Sequence, residues 1–224
     1  MVCRHILSAC YNETTKYESK LMKSFSESCE KNKVPILAVL KDIFAERKYV
    51  LEIASGTGQH AVYFGRKLPH LIWQTSELPQ HHESIQAWLD EAQLPNVLPP
   101  LSVNVNDVCW PVEHVDAIFN ANTVHIISWR EVELLFAHIG RIIVPGGCVC
   151  FYGPYNYAGH FTSESNARFD IWLKSRDPNS GVRDFEAVNQ LATVHGMDLL
   201  HNYAMPSNNR ILVWRAKDNK SPNG

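Results

Sequence analysis

The sequence predicts an α/β fold in which a mainly parallel sheet of seven strands carries helices on both faces. Short apolar runs alternate with amphipathic segments along most of the chain, which is typical of parallel strands joined by crossover helices. A glycine-containing turn joins the first apolar run to the next helical segment, as in folds that bind a ligand at a strand end. Only a short polar turn separates the last two apolar runs, so we expect them to pair as an antiparallel hairpin.

The predicted elements follow one another in a regular order. Apolar runs predict strands at residues 50–53, 71–74, 97–105, 115–121, 148–152, 197–203 and 210–215. Amphipathic segments predict helices at residues 35–46, 59–68, 83–92, 128–143 and 185–195. Pro35 suits the opening turn of a helix, Ser128 is an expected N-cap, and residues 145–147 are an expected turn. Residues 154–183 form a long insertion that contains a helical stretch at residues 164–174.

Length and composition indicate one globular domain with a sizeable core. The chain has 224 residues, of which 45% are hydrophobic. Its formal net charge of −2 gives no field that would gather nucleic acid. No apolar run approaches the ~20 residues of a membrane span. The six cysteines form no Cys-x-x-Cys pair, which disfavours a metal or redox site and favours a reducing, cytoplasmic setting.

The two ends of the chain differ in character from the rest. We expect the domain to span residues 25–216, between a weakly ordered leader at residues 1–24 and a polar tail at residues 217–224. The leader has neither a convincing signal-peptide apolar region nor a cleavage site. Met1 and Met22 are both candidate starts of the chain.

The segment at residues 50–60 is the most informative part of the sequence. Gly56 and Gly58 can adopt backbone angles that a side chain would forbid, and they allow a ligand to approach the main chain. The helix that begins near Gln59 points unpaired N–H groups toward that ligand. Glu52 is an acceptor at the strand tip, where it can meet a cationic amine. The segment therefore predicts a site for a cofactor that contains a nucleoside.

Three classes of cofactor fit this turn to different degrees. A triphosphate loop would need a lysine after its last glycine, and a dinucleotide site prefers glycine where Ala54 and Ala61 stand. S-adenosylmethionine carries no phosphate, so it needs no basic residue here, and its amino group complements Glu52. Glu77 comes 19 residues after Gly58, where an acid meets the ribose hydroxyls in the last two classes. An ordinary strand–loop–helix corner is the remaining interpretation.

Several separated motifs also carry a family resemblance. Residues 52–60 read Glu-x-Ala-Ser-Gly-x-Gly-Gln-His. Other matching motifs are Asn32-Lys33, Trp73-Gln74, His125-Ile126, Tyr152-Gly153-Pro154-Tyr155, Ser165-Asn166 and Asn208-Asn209. Together they resemble the class I S-adenosylmethionine-dependent methyltransferases and, more narrowly, the methyltransferase-like 26 family, a domain-of-unknown-function family. The resemblance implies a Rossmann-like methyltransferase fold, S-adenosylmethionine as cofactor, and methyl transfer to an N, O or S nucleophile.

The resemblance also assigns cofactor contacts to the strand ends. After the third strand the family places an acid that receives the adenine amine, and Asn104 holds the matching position here, with Asp107 as the alternative. An asparagine can still accept this hydrogen bond through its amide oxygen. The residues predicted to bind the cofactor are Glu52, Ala54, Ser55, Gly56, Thr57, Gly58, His60, Glu77, Asn104, Val105, Asn120 and Asn122.

The acceptor is expected beyond the fourth and fifth strands, under the insertion. His125 is a candidate general base because the unperturbed pKa of histidine lies near neutrality, and a hydrogen bond to a backbone carbonyl is its alternative role. Tyr152 and Tyr155 complete the candidate catalytic set. Long loops over a pocket often act as lids, and arginine can hold a carboxylate or phosphate through two hydrogen bonds. The predicted substrate contacts are Asn156, Asn166, Arg176 and Arg183.

Ordinary structural roles compete with some of these assignments. Arg183 and Asp184 can pair with each other and cap the following helix. Phe169 and Trp172 fit a helix face that packs on the core. His81 and His82 have no third metal ligand near them in the sequence pattern and are expected to be solvated, so no metal site is predicted.

Two functions from different classes follow from the sequence. The first is a methyltransferase for a small-molecule acceptor, with a protein side chain as an alternative acceptor and nucleic acid disfavoured. The motif Asn-Pro-Pro-Tyr of adenine and glutamine amide methylation is absent. The second is a non-catalytic module that binds S-adenosylmethionine and regulates or scaffolds a protein partner. A nicotinamide-dependent oxidoreductase is third, because the glycine spacing fits it poorly.

Overall fold

Strands and helices alternate through the computed structural model, which describes residues 23–218. The strands are β1 (Tyr49–Ile53), β2 (Ile72–Glu77), β3 (Val97–Ser102), β4 (Val115–Ala121), β5 (Ile143–Asn156), β6 (Arg183–Asp184), β7 (Met197–Met205) and β8 (Asn209–Ala216). The helices are α1 (Glu27–Ile43), α2 (Gln59–Lys67), α3 (His82–Ala92), α4 (Trp129–Ile142), α5 (Glu164–Arg176) and α6 (Phe185–Val194). Short 3₁₀ turns occupy Pro79–His81 and Pro206–Asn208.

Seven strands form a sheet in the order β3-β2-β1-β4-β5-β8-β7, and the two-residue strand β6 pairs with β5. The pairs from β3 through β5 are all parallel, whereas β8 runs antiparallel to both of its neighbours. The predicted fold class is confirmed, including the final antiparallel hairpin. The strand order reverses between β1 and β4, and a reversal of this kind opens a crevice at the carboxyl ends of the strands.

Each face of the sheet has its own apolar core. On one face Phe151 of β5 packs with Phe136 of α4 and Val188 of α6. On the other face Cys150 packs in a cluster that includes residues of α1, α2 and α3, among them Phe64. Because both faces are covered, the central strands are apolar on both sides, as the sequence pattern predicted.

Helix α1 begins at Glu27, earlier than the predicted start at residue 35. The side chain of Ser26 caps the helix by accepting a hydrogen bond from the Cys29 N–H at 3.4 Å. Pro35 therefore lies inside the helix and not in its opening turn. Proline has no backbone N–H to donate to the preceding turn, so it is usually found in the first turn of a helix. The sequence analysis therefore placed the helix start at Pro35.

Strand β5 continues through residues 145–147, where a turn was predicted. Val115 pairs with Ile143 and Ala117 pairs with Cys148, so β5 carries extra residues here as a bulge. Gly146 has a φ of 72°, a left-handed conformation that glycine adopts easily. At its other end β5 extends to Asn156 and takes up the first residues of the predicted insertion.

Other boundaries match the predictions closely. Ser128 is the N-cap of α4, where its side chain and that of Glu131 form a reciprocal capping box. Most of the predicted tail and most of the predicted leader lie outside the described residues. The leader's last two residues contact α3: Lys23 pairs with Glu91 at 2.6 Å, and the carbonyl of Ser24 accepts from the Trp88 indole at 2.8 Å.

Within residues 23–218, no helix combines the length and the hydropathy needed to cross a membrane.

Candidate functional site

A cavity of about 1060 Å³ opens at the carboxyl ends of the central strands. Its floor is the turn after β1 together with the ends of β2 and β4, where the strand order reverses. Side chains from the start of α1, from α5 and from the β7–β8 turn surround it. The predicted site residues that line it are Glu52, Ala54, Ser55, Gly56, Thr57, His60, Glu77, Asn122, His125, Tyr152 and Asn166.

The turn after β1 is held in left-handed backbone conformations. Ala54, Gly56 and Gly58 have φ values of 56°, 58° and 94°. A Cβ on Gly58 would lie 3.0 Å from the Cα of Ile85, so α2 and α3 approach closely only with glycine here. Of these three residues only Ala54 has a Cβ, and a left-handed conformation is unfavourable by roughly 1–2 kcal/mol for such a residue. Strain of this kind is typical of a ligand-binding turn.

Glu77 holds this turn from the end of β2. Its Oε2 accepts a hydrogen bond from the Gly56 N–H at 3.0 Å, and its Oε1 accepts from the Leu78 N–H at 2.8 Å. A carboxylate has about four acceptor positions, so two backbone donors leave others for a ligand. Because Glu77 also lines the cavity, it can contact a ligand and fix the turn at the same time.

Glu52 lies deeper, at the end of β1, with only 2% of its surface exposed. The indole N–H of Trp73 donates to its Oε2 at 3.0 Å. The pKa of the Glu52 carboxyl is raised to about 7: burial is the largest cause, the Trp73 and Ser55 hydrogen bonds oppose it, and the charge of Glu77 adds a smaller increase. A ligand cation in this cavity would stabilise the ionised carboxylate, and the contact of Glu52 with a cationic amine stays a prediction.

His60 ties α2 to α1 behind the turn. Its Nε2 lies 2.7 Å from Oδ1 of Asn32, and its Nδ1 lies 3.9 Å from the sulfur of Cys29. Burial lowers the pKa of His60 to about 4, so the ring is neutral at pH 7. Burial raises the pKa of the Tyr152 hydroxyl, and the Asn32 side chain opposes this with a smaller lowering effect. Cys29 and Asn32 line the cavity but were not assigned to the site from the sequence, where the Asn32-Lys33 motif pointed to Asn32 and no motif pointed to Cys29.

His125 lies across the cavity, after the end of β4. Its ring is 2% exposed, and its Nδ1 is buried with no hydrogen-bond partner among residues 23–218. Burial, with a smaller contribution from the nearby Arg183 guanidinium, lowers the pKa of His125 to about 4. The structure therefore shows no carbonyl bound at Nδ1, and a neutral imidazole with a free acceptor nitrogen can receive a proton.

Helix α5 covers the same side of the cavity. Asn166 donates from Nδ2 to Oγ1 of Thr162 at 2.8 Å and to the carbonyl of Asn208 at 3.2 Å, which joins the helix to the β7–β8 turn. Phe169 and Trp172 both line the cavity, and Trp172 is 48% exposed. Their interpretation as core residues was wrong, because α5 packs on the rim of the site and presents these rings to it.

The residues predicted to contact adenine do not reach the cavity. The amide oxygen of Asn104 accepts from the Asn106 N–H at 2.9 Å, and the carbonyl of Val105 accepts from His138 at 3.2 Å. Asp107 is exposed. Asn120 is buried below the turn, where its Nδ2 donates to the carbonyl of Ile53 at 2.8 Å. Cofactor contacts by these residues stay predictions.

Two of the remaining assignments are replaced by structural roles. Tyr155 is fully buried in the core on one face of the sheet, and burial raises the pKa of its hydroxyl, so it does not reach the cavity. Arg183 donates from Nε to the carbonyl of Val124 at 3.1 Å and from Nη2 to that of Ile127 at 2.6 Å. It therefore clamps the loop that carries His125, and it does not pair with Asp184 in a salt bridge.

Two further predicted substrate contacts do not line the main cavity. Asn156 donates to the carbonyl of Val182 at 3.3 Å and is 8% exposed. Arg176 ends α5 and lines a second cavity of about 380 Å³. In the part of the chain that the structure describes, no group of three or more histidine, cysteine or acidic side chains is placed to hold a metal ion.

Solved methyltransferases share this fold. An O-methyltransferase family protein from Burkholderia thailandensis superposes with a TM-score of 0.73 at 16% identity, covering 84% of this chain and 57% of that one. An O-methyltransferase family 2 protein from Planctomyces limnophilus, solved with apigenin, gives 0.74 at 12% identity over 84% and 57%. The S-adenosylmethionine-dependent methyltransferase SibL gives 0.72 at 18% identity over 85% and 56%.

At these identities the similarity shows the fold alone, and this chain spans a little over half the length of the solved chains. The Rossmann-like methyltransferase architecture is therefore common to all of them. A family model described as "Protein of unknown function (DUF938)" matches residues 23–216. This match covers nearly all of the described chain, and the protein belongs to that family.

Proposed function

We propose that this protein is an S-adenosylmethionine-dependent methyltransferase that acts on a small-molecule acceptor. The observation that carries the proposal is the buried carboxyl of Glu52 beside a strained glycine turn, in a cavity where the strand order reverses. The similarity to solved methyltransferases supports the cofactor, and the resemblance to the methyltransferase-like 26 family is consistent with it.

The residues of the cavity fit the chemical groups of this cofactor. Glu52 would bind the ammonium group, and the free acceptor positions of Glu77 would bind the ribose hydroxyls. The exposed backbone of the turn would contact the rest of the molecule, since no side chain stands at Gly56. Ligand pockets commonly occupy about 300–1,000 Å³, so a cavity of about 1060 Å³ has room for a cofactor and an acceptor together.

The bound cofactor would supply a methyl group that its sulfonium charge already activates. The protein would then need to align the acceptor, exclude water and remove one proton from an O–H, N–H or S–H nucleophile. His125 is the candidate for the last task, because it lines the cavity and its ring is neutral. Tyr152 also lines the cavity and would help to position the acceptor.

A small molecule is the favoured acceptor because the cavity is deep and surrounded by α1 and α5. One of the structurally similar methyltransferases was solved with apigenin, which is a small molecule. A protein side chain is the less favoured alternative.

Transfer of a labelled methyl group tests the proposal. Methyl-tritiated S-adenosylmethionine is incubated with the protein and a fractionated cell extract. The products are then separated by molecular mass, and the tritium in each fraction is counted. We expect label in low-mass fractions with the unaltered protein and none with Glu52→Gln. Cofactor binding with stable capture of a partner protein and no transfer would instead support the non-catalytic module.

A further inference from the structure

A second cavity of about 380 Å³ adjoins the main one. The two cavities share Ile126, Phe169 and Trp172, so the same three side chains face both spaces. The second cavity is completed by Arg176 and its neighbours at the end of α5. A ligand that enters the acceptor side of the main cavity can therefore extend along α5 toward Arg176.

The shared wall is aromatic and partly exposed. The rings of Phe169 and Trp172 stack with their centres 5.6 Å apart and their planes 16° apart. His125 meets Phe169 edge-on at 5.3 Å. Trp172 is 48% exposed and Ile126 is 54% exposed, although both are large apolar side chains. A flat apolar ligand would cover this surface and contact the faces of the rings.

A cation stands at the far end of this wall. The guanidinium of Arg176 lies 4.8 Å from the ring centre of Trp172. Among residues 23–218 it forms no salt bridge, and the adjacent Asp177 carboxylate accepts a hydrogen bond from the Asn179 N–H at 2.9 Å instead. A guanidinium stacked on an aromatic ring keeps its donor edges, which match a carboxylate with two parallel hydrogen bonds.

Charged side chains line both cavities and bias the orientation of such a ligand: Lys31 lies with the two acids in the main cavity, and Asp177 lies beside Arg176 in the second. Glu52 and Glu77 lie at the glycine-turn side of the main cavity. An anionic group on the ligand would be repelled there and attracted to Arg176. The opposite end of the ligand would then lie next to His125, where the nucleophile of the proposed reaction is expected.

We infer that the acceptor is an elongated, planar aromatic carboxylate whose ring packs on Phe169 and Trp172 and whose carboxylate binds Arg176. Phe169 and Arg176 are two turns apart on α5, a separation of about 11 Å. An aromatic ring with a short conjugated acid arm spans a comparable length and would place a ring hydroxyl beside His125. This inference rests on the proposed function and specifies its acceptor class.

Calorimetric titration with 4-hydroxycinnamate and with its methyl ester tests the inference. We expect the acid to bind about tenfold more tightly than the ester, because only the acid makes charged hydrogen bonds to Arg176. Arg176→Gln should remove this difference and leave the affinity for the ester unchanged. Arg168→Gln removes a charge from the same helix, on an exposed side chain paired with Glu164, and should preserve the difference. Phe169→Leu should weaken the binding of both compounds.

Equal affinities for acid and ester, or no saturable binding of either to the folded protein, would overturn the inference. Titration of the same variants with S-adenosylhomocysteine separates this failure from that of the proposed function. If S-adenosylhomocysteine binds and the acid does not, only the acceptor class is wrong. If the acid binds with the predicted dependence on Arg176 and S-adenosylhomocysteine does not bind, the cofactor assignment is wrong.

Discussion

The indole N–H of Trp73 donates a hydrogen bond to the Glu52 carboxyl, with 3.0 Å between Nε1 and Oε2. The bond links β2 to β1 beneath the glycine turn and fixes the orientation of the acid. Burial nevertheless raises the pKa of Glu52 to about 7, so ionisation is costly without a nearby cation. The protein therefore holds a partly protonated acid where a cationic ligand would ionise it.

The first prediction concerns the stability of Glu52→Gln. A raised pKa means that the folded protein binds the Glu52 proton more tightly than the unfolded chain does. The contribution of this proton to the free energy of unfolding is therefore fully present below pH 4.5 and is lost as pH rises through about 7. The amide still accepts from Trp73 and never ionises. Above pH 7 we expect the variant to be more stable by up to about 3 kcal/mol. Urea unfolding at acidic and alkaline pH measures this difference, and equal pH profiles for both proteins would contradict it.

The second prediction concerns His60 and acid. Its lowered pKa means that its contribution to stability is present above pH 6.5 and is lost as pH falls through about 4. Between pH 6.5 and pH 4 the free energy of unfolding of His60→Gln should therefore fall by about 3 kcal/mol less than that of the unaltered protein. The control His114→Gln changes an exposed histidine and should follow the original profile. Parallel acid profiles for His60→Gln and the unaltered protein would rule out this role.

The third prediction concerns the strain at Ala54, which has a φ of 56°. Glycine adopts this left-handed conformation without the clash of a Cβ, so Ala54→Gly should stabilise the protein by about 1 kcal/mol. Urea unfolding measures the change. A loss of stability would show that the methyl group of Ala54 makes contacts worth more than the strain.

The fourth prediction concerns the close contact between α2 and β3. A Cβ on Gly65 would overlap the Cγ2 methyl of Val97, which is 6% exposed. Gly65→Ala should destabilise the protein by about 1–3 kcal/mol, although alanine favours helices. The double variant Gly65→Ala/Val97→Ala makes room for the added methyl and should show a favourable coupling energy. Simple additivity of the two changes would contradict the overlap.

The sequence was sufficient for features that depend on local chemistry. The turn after β1 was predicted with its acid because a strand, two glycines and a helix follow one another within a short segment. The N-cap at Ser128 was predicted for the same reason, since the capping group and the helix are neighbours in sequence. Alternation of strands and helices likewise fixed the fold class.

Features that depend on distant contacts could not be predicted in this way. Tyr152 and Tyr155 looked equivalent, but successive strand residues point to opposite faces, and only Tyr152 reaches the cavity. Arg183 binds the carbonyls of Val124 and Ile127, which are far from it in sequence. Phe169 was assigned to the core because helical spacing shows that a face is apolar but not what it faces.

The most direct test of the cofactor site is calorimetric titration with S-adenosylhomocysteine. The unaltered protein should bind it saturably, and Glu77→Ala should weaken binding by about 1.5–3 kcal/mol, because the proposed site has this acid bind the ribose hydroxyls and the acid also holds the turn. Glu83→Ala removes a neighbouring exposed acid and should leave the affinity unchanged. Absence of binding to the folded protein, or equal affinity in a folded Glu77→Ala variant, would contradict the proposed cofactor site.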